Sequence, residues 1–346
     1  MCLSAVPGSD GQAHQFPTGK YALILPDGAR PQVPIPLRDY WVGKIKDIRS
    51  RNNDPADVWV KVQWLWSIQE LFKEKKNIDP TPFGDMERIL SSHFDFVSTM
   101  CFDDITDVEA YVESDPEPPA ISDKTFYYRS TYDVHSDMIK SLPQPTCFCG
   151  KAYNANETGI MHFCPRKGCC RAFHANCLAR NGSIEKSQKD PRVLRAQRGL
   201  QLERTLPSTS DEEEDGRGNS SPISNSMTLS VPNSNNYPES DIDRHHEIPP
   251  ELLALARSPM VKGNGTGLPH EWSCVTGNLA LVTRARKLVH DALENKNSRL
   301  PLKWRTLLEI PGEESMNDEN IDASKIRVWA VEDDYLFLCP RCKGAI

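Results

Sequence analysis

Six thiol and imidazole groups at metal-ligand spacing fall within 31 residues of this chain: Cys147-Phe-Cys149, Cys164-Pro-Arg-Lys-Gly-Cys169 and His174-Ala-Asn-Cys177. A further pair, Cys339-Pro-Arg-Cys342, stands far downstream. Read in order they are four cysteines, a histidine and three cysteines, a donor set that completes two tetrahedral zinc sites. Zinc has no geometric preference of its own and takes thiolate and imidazole in closed structural sites. Cys170 adjoins Cys169 and is the alternative ligand there; Cys169 is the preferred one. The paired spacings, with a histidine in register, fit a metal framework in a reducing compartment better than disulfides. Cys2, Cys101 and Cys274 have no partner in this scheme and read as free or buried thiols. A full ligand set leaves no open coordination position for catalysis. The chain also offers no nucleophile–base pair, phosphate loop or paired carboxylates at useful spacing, so a non-enzymatic role is expected.

The elements that must position these groups come from a chain of 346 residues, long enough for two domains. Its net charge of −7 argues against wrapping nucleic acid over the whole surface, although a local basic patch for DNA contact remains open. No run approaches the ~20 apolar residues of a membrane span, and no apolar segment follows Met1. Neither a membrane nor a small-molecule substrate is expected as a partner.

Residues 1–17 lack periodicity and read as a disordered tail. Tyr21-Ala-Leu-Ile-Leu25 is a short strand. Trp41 to Ile48 and Val58 to Trp66 alternate around turn formers and predict a hairpin. On the second strand Val58, Val60, Val62, Trp64 and Trp66 share a face, with Trp59 opposite and in the core. Ser67-Ile-Gln-Glu70 has capping-box spacing for a helix. His93 to Val97 and Thr125 to Tyr132 are further strands, rich in aromatic and β-branched residues. Residues 18–142 thus read as one mainly β domain. Residues 145–182 open the zinc module and 334–346 close it. Between them, 183–249 is a disordered, acidic linker carrying Asp211 to Asp215, with a short helix possible around Arg192 to Arg198. Residues 250–333 are a helical insertion. Its Val275–Leu293 stripe (Leu279, Val282, Arg286, Val289, Leu293) faces a core, and Arg284, Arg286 and Lys287 offer the alternative of a DNA-facing surface. The fold class is α+β overall.

The ligand order, the short Cys147-x-Cys149 pair, His174-x2-Cys177 and Phe337 two residues before Cys339 resemble a PHD finger. A RING finger places its histidine fourth, and here it is fifth. The resemblance implies a cross-brace: Cys147, Cys149, His174 and Cys177 on one zinc, and Cys164, Cys169, Cys339 and Cys342 on the other. The departure is the 161-residue gap from Leu178 to Leu338. Loop-closure entropy grows by only ~0.6 kcal/mol per doubling, so the longer loop costs about 2 kcal/mol. Structural zinc supplies ~10–16 kcal/mol in small peptides. Trp272-Ser-Cys274 mimics an earlier end to the finger, but Gly277 stands where its last cysteine belongs. PHD fingers that bind methylated lysine 4 of histone H3 carry a tryptophan two residues before the zinc histidine; that position is Ala172 here, with Tyr153 and Met161 at other cage positions. Arg166, Lys167 and Arg171 add basic charge that disfavours a basic tail. The finger is therefore expected to be a scaffold, or to contact DNA or another protein.

Trp41-Val-Gly-Lys-Ile, Val60 to Ser67, Ser92-His-Phe-Asp95 and Thr125 to Arg129 resemble a BAH domain, which implies a mainly β, barrel-like fold. BAH followed by PHD is similar to a set of fungal and plant chromatin readers that bind trimethylated lysine 27 of histone H3, the Polycomb repressive mark. The resemblance implies a methyl-lysine cage of Trp41, Trp64 and Trp66, with His93 and Asp95 holding the peptide. A quaternary ammonium donates no hydrogen bond and is held by aromatic faces, at ~0.5–2 kcal/mol each. The expected protein is a nuclear reader of the H3 tail or nucleosome, working with silencing-complex proteins. The alternatives are a chromatin scaffold without methyl-lysine specificity, docking DNA or protein, and a variant RING-type ubiquitin ligase.

Overall fold

The structure is a computed structural model. It describes residues 2–7, 13–29, 33–51, 54–75, 78–157, 159–185, 248–269, 275–294, 300–313, 321–331 and 335–346. The expected linker from residue 186, with its acidic run and the helix around Arg192, lies outside these, as do Trp272 and Cys274.

Strands β1 (Cys2–Pro7) and β2 (Ala13–Pro17) pair antiparallel where an irregular tail is predicted. The reason is Phe16, which is fully buried and meets Phe102 edge-on at 5.4 Å. The main sheet contains β3 (Tyr21–Ile24), β4 (Trp41–Arg51), β5 (Asp54–Ser67), β6 (Glu87–Ser98), β7 (Phe102–Thr106), β8 (Val108–Ala110), β9 (Phe126–Asp133) and β10 (Met138–Lys140). Its order is β10-β9-β6-β5-β4-β3-β7, with β8 also on β9. The β6–β9 and β8–β9 pairs are parallel and the others antiparallel, so the sheet is mixed. No pairing among the described residues joins β10 to β7, so the expected barrel-like closure is not made by strand ladders.

The β4–β5 hairpin follows its alternation: Val60, Val62 and Ile45 are fully buried with Ile24 and Phe16. Trp59 departs from expectation. It is half-buried, belongs to none of the apolar clusters, and donates its indole N–H to Asp57 Oδ1 at 2.8 Å. Helix α1 (Ile68–Glu74) starts at the predicted capping box. Ser67 accepts from Glu70 N, and Glu70 Oε2 accepts from Ser67 N at 2.8 Å.

The zinc module holds β11 (Met161–Cys164), β12 (Arg171–His174) and α2 (Ala175–Arg180). After the linker come α3 (Pro250–Arg257), β13 (Val261–Lys262), α4 (Leu279–Glu294), α5 (Trp304–Leu307) and α6 (Ala323–Arg327). Pro249 and Pro250 set the start of α3, where a missing N–H is harmless. On α4, Leu279, Val282, Ala285 and Val289 are buried at helical spacing. Arg286 on the same face donates to the Ala256 and Ser258 carbonyls at the end of α3. Arg284 and Lys287 pair with Glu117 from the β domain. Arg284 and Lys287 thus have a carboxylate partner within the chain, while Arg286 is held by neutral carbonyl oxygens.

One apolar cluster runs through three sequence regions. It joins Tyr111, Ile121 and Tyr127 to Tyr153, Phe163 and Cys339, and both to Leu252, Leu279 and Val282. The insertion is therefore packed against both the sheet and the zinc module. Strand β13 becomes the third strand of the zinc-module sheet, in the order β12-β11-β13. Gly277 is where α4 approaches it. Its φ is +61°, and a Cβ there would lie 1.8 Å from the Val261 carbonyl oxygen. This position demands glycine and cannot serve as a cysteine ligand. Gly277→Ala is expected to cost about 3 kcal/mol in urea unfolding, through steric overlap and strained φ together.

Candidate functional site

Two sets of ligand atoms come together. Cys147, Cys149, His174 and Cys177 form one group, and Cys164, Cys169, Cys339 and Cys342 the other; within each group all ligand atoms lie within 4.8 Å. Cys169, not Cys170, falls in the second group. Cys170 turns away with φ +44° and its thiol faces Arg166 O at 3.6 Å. Cys101 stays outside both groups. The strands explain the convergence. β11 ends on Cys164 and β12 ends on His174, and their antiparallel register sends the two residues to opposite ends of the ladder. Phe337 is buried against His162, with ring centroids 4.7 Å apart, and this docks the last pair beside β11.

The donor sets fit zinc. A tetrahedron of ~2.3 Å zinc–sulfur bonds has edges of about 3.8 Å. Cys169 Sγ and Cys339 Sγ stand 3.7 Å apart, and Cys149 Sγ lies 3.4 Å from His174 Nδ1. Burial lowers the His174 imidazole below its ordinary value, so it is neutral and able to ligate at pH 7. A bound ion would draw together residues from either side of the insertion.

The second site is a cavity of about 210 Å³ lined by Trp41, Trp64, Leu65, Trp66, Glu70, His93 and Asp95. All three predicted tryptophans and both predicted peptide residues are present in it. The hairpin register pairs Val42 with Leu65, so Trp41 stands one step along, toward Trp66. Trp41 and Trp64 meet at 84° with centroids 5.8 Å apart, two walls at a right angle. A bulge completes the third side. Between the Gln63–Phe94 and Leu65–Leu90 pairs, β5 has only Trp64 while β6 has Ser91, Ser92 and His93. Ser91 stabilises the bulge by donating to Trp64 O at 2.9 Å and accepting from His93 N at 3.0 Å. Bulges re-aim side chains, and here His93 stacks on Trp66 at 5.8 Å and 23°. The tryptophans are half-buried and pack on apolar clusters from one side, so they are both core edge and cavity wall. Trp66 Nε1 is buried with no partner among the described residues.

Two lining residues, Leu65 and Glu70, are absent from the sequence prediction. The signal for Glu70 is its capping box, which anchors the carboxylate one turn beyond Trp66. With Asp95 it gives the cavity two carboxylates, and among the described residues no lysine or arginine lines it. The site favours a cation.

No family model matches the chain, and no curated protein matches it either. A solved structure does. The chain is similar to the BAH domain of yeast Rsc2, at 11% identity and a TM-score of 0.27. The likeness is low. It covers 38% of this chain and 51% of that one, so the match spans about half of that chain's length.

A buried ionic network ties the β domain to the rest. Arg129 forks onto Glu87 at 2.6 and 2.9 Å, reaches Glu113 at 2.8 Å, and donates to the carbonyls of Pro82 and Tyr153. Lys262 from β13 lies 3.6 Å from Glu113, completing a neutral quartet. Burial raises the Glu87 carboxyl despite the arginine beside it. Arg129→Met is expected to destabilise the chain by about 3–5 kcal/mol, because it strands buried carboxylate. The folded-state value of Glu87 then rises further above its unfolded value. The deficit against wild type should therefore be small in acid and grow as pH rises through the carboxyl range, as urea unfolding at several pH values would show.

Proposed function

We propose that this chain is a nuclear, non-enzymatic chromatin reader whose tryptophan cavity takes a trimethylated lysine of the histone H3 tail. The carrying observation is the lining itself: three tryptophans and a histidine around one space, with two carboxylates and, among the described residues, no lysine or arginine. Aromatic faces attract a quaternary ammonium without needing hydrogen bonds from it. The carboxylates add long-range attraction for a basic tail. The BAH-like motifs supply the choice of lysine 27, and with it a part in Polycomb-type silencing alongside nucleosomes and silencing-complex proteins. Two structural zinc ions fit the cysteine–histidine groups and hold the module beside the cavity-bearing sheet.

The test is calorimetric titration of the full chain with H3 peptides, unmodified and trimethylated at lysine 27. Micromolar binding of the methylated peptide alone supports the reading. Binding that ignores methylation and falls steeply with salt would replace it with the DNA- or protein-docking scaffold. Discharge of ubiquitin from a charged conjugating enzyme would replace it with a ligase.

A further inference from the structure

Strand β13 is two residues long and comes from a segment about a hundred positions beyond the sheet it joins. It lies antiparallel on the free edge of β11, with Lys262 opposite Met161 and Val261 opposite His162. Phe163 N donates to Met260 O at 2.8 Å and Gly159 N to Asn264 O at 2.9 Å. Adding a strand to an open edge is a common mode of peptide recognition, with main-chain bonds for affinity and pockets for alternate side chains. Here the pocket is explicit. The Lys262 side chain is fully buried. Its Nζ stands 4.2 Å from the centre of the Tyr153 ring and 5.3 Å from that of Tyr111. It donates to Tyr111 Oη at 2.8 Å and lies 3.6 Å from Glu113. The Tyr153 ring, the Tyr111 hydroxyl and a carboxylate therefore receive one primary ammonium. Burial pulls Lys262 down to about 8, and the Glu113 carboxylate opposes this.

We infer that Val261–Lys262 is a tethered ligand, filling within the chain a groove that would otherwise take an extended peptide bearing an unmethylated lysine. The methylation state follows from the contacts. Tyr111 Oη accepts an N–H bond, which a trimethylated nitrogen lacks, and the Lys262 side chain is fully enclosed. Asn278 locks the far side of the strand: its Oδ1 accepts from Val261 N at 2.8 Å and its backbone N donates to Val261 O at 3.1 Å. The positions that resemble a lysine 4 cage are buried: Tyr153, Met161 and Ala172 are each no more than 3% exposed, the first against Lys262 and the second paired with it. The zinc module reads its own insertion, and the tryptophan cavity is left as the site for tails in trans. That last clause rests on the proposed function; occupancy of the groove does not.

Amine acylation of the full chain, read by mass spectrometry, tests occupancy directly. Lys262 should react about 100-fold more slowly than the exposed Lys46, Lys151 and Lys343. H3 peptides, unmodified or methylated at lysine 4, should leave that protection unchanged. Reaction at the exposed rate, or acceleration by either peptide, would overturn the proposal. Recognition is tested on Lys262→Ala. n-Propylammonium should raise the melting temperature of this variant and not of wild type, while N,N,N-trimethylpropylammonium should raise neither. An equal response to the two cations, or none to either, would show that the pocket does not select a primary ammonium. If Lys262→Ala does not fold, labelling of the unmutated chain still decides occupancy. Failure of the tryptophan cavity to bind any methylated peptide would leave all these readouts unaffected.

Discussion

Trp64→Ala and Trp66→Ala should each weaken binding of a trimethyl-lysine H3 peptide by roughly 5- to 30-fold, and the double variant should abolish it at calorimetric concentrations. The range corresponds to about 1–2 kcal/mol for each aromatic face withdrawn from a cation. The two substitutions differ in what else they disturb. Trp64 packs on the Val60–Val62 cluster, so its truncation also opens a gap in the sheet core. Trp66 leans on His93 and on the α1 side of the sheet. Trp64→Phe and Trp66→Phe separate the effects, since they keep an apolar ring with a weaker face. They should retain stability and lose affinity only partly. A folded Trp66→Ala chain with unchanged affinity would remove Trp66 from the cage.

Cys339→Ser should be the most damaging single substitution in the chain. Structural zinc is worth ~10–16 kcal/mol in small peptides, and Cys339 is fully buried within the shared apolar cluster. Loss of that ion would release the final segment from the β11 side and expose part of the cluster that also holds α3 and α4. Chelation of wild type should give the same result: loss of protection across residues 250–310 in hydrogen exchange, and not only around the ligands. The group containing the exposed Cys149 should respond more locally. Cys101→Ser, outside both groups, is expected to change stability by less than about 1 kcal/mol. Equal effects of Cys101→Ser and Cys339→Ser would mean that no metal is held at the second group.

Much of this arrangement can be read from residue types alone. Thiol spacing and ligand order point to two metal groups because coordination chemistry permits few alternatives. Alternation exposes the β4–β5 hairpin and so puts Trp64 and Trp66 on one strand near Trp41. The capping box of Ser67 and Glu70 marks where that strand gives way to helix. Other features depend on partners distant in sequence. A two-residue strand such as Val261–Lys262 has no periodicity; it exists because β11 offers an edge and Asn278 a clamp. Trp59 follows strand alternation, yet it joins no apolar cluster among the described residues and stays half-buried. The bulge that stacks His93 on Trp66 depends on Ser91 bonding to Trp64 O, which no local pattern announces. Phe16 lies in a polar stretch and becomes core only because Phe102 meets it.

The position of Cys339 sets a clock on synthesis. All four ligands of the first group have been made once Cys177 is complete, but the second then has only Cys164 and Cys169. A further 161 residues must be translated before Cys339 appears. At ~5–20 residues per second this takes roughly 8–30 s. During that interval a nascent chain carries a half-built thiol pair beside a completed site. It depends on a reducing compartment to keep those sulfurs from bonding to each other or to passing thiols.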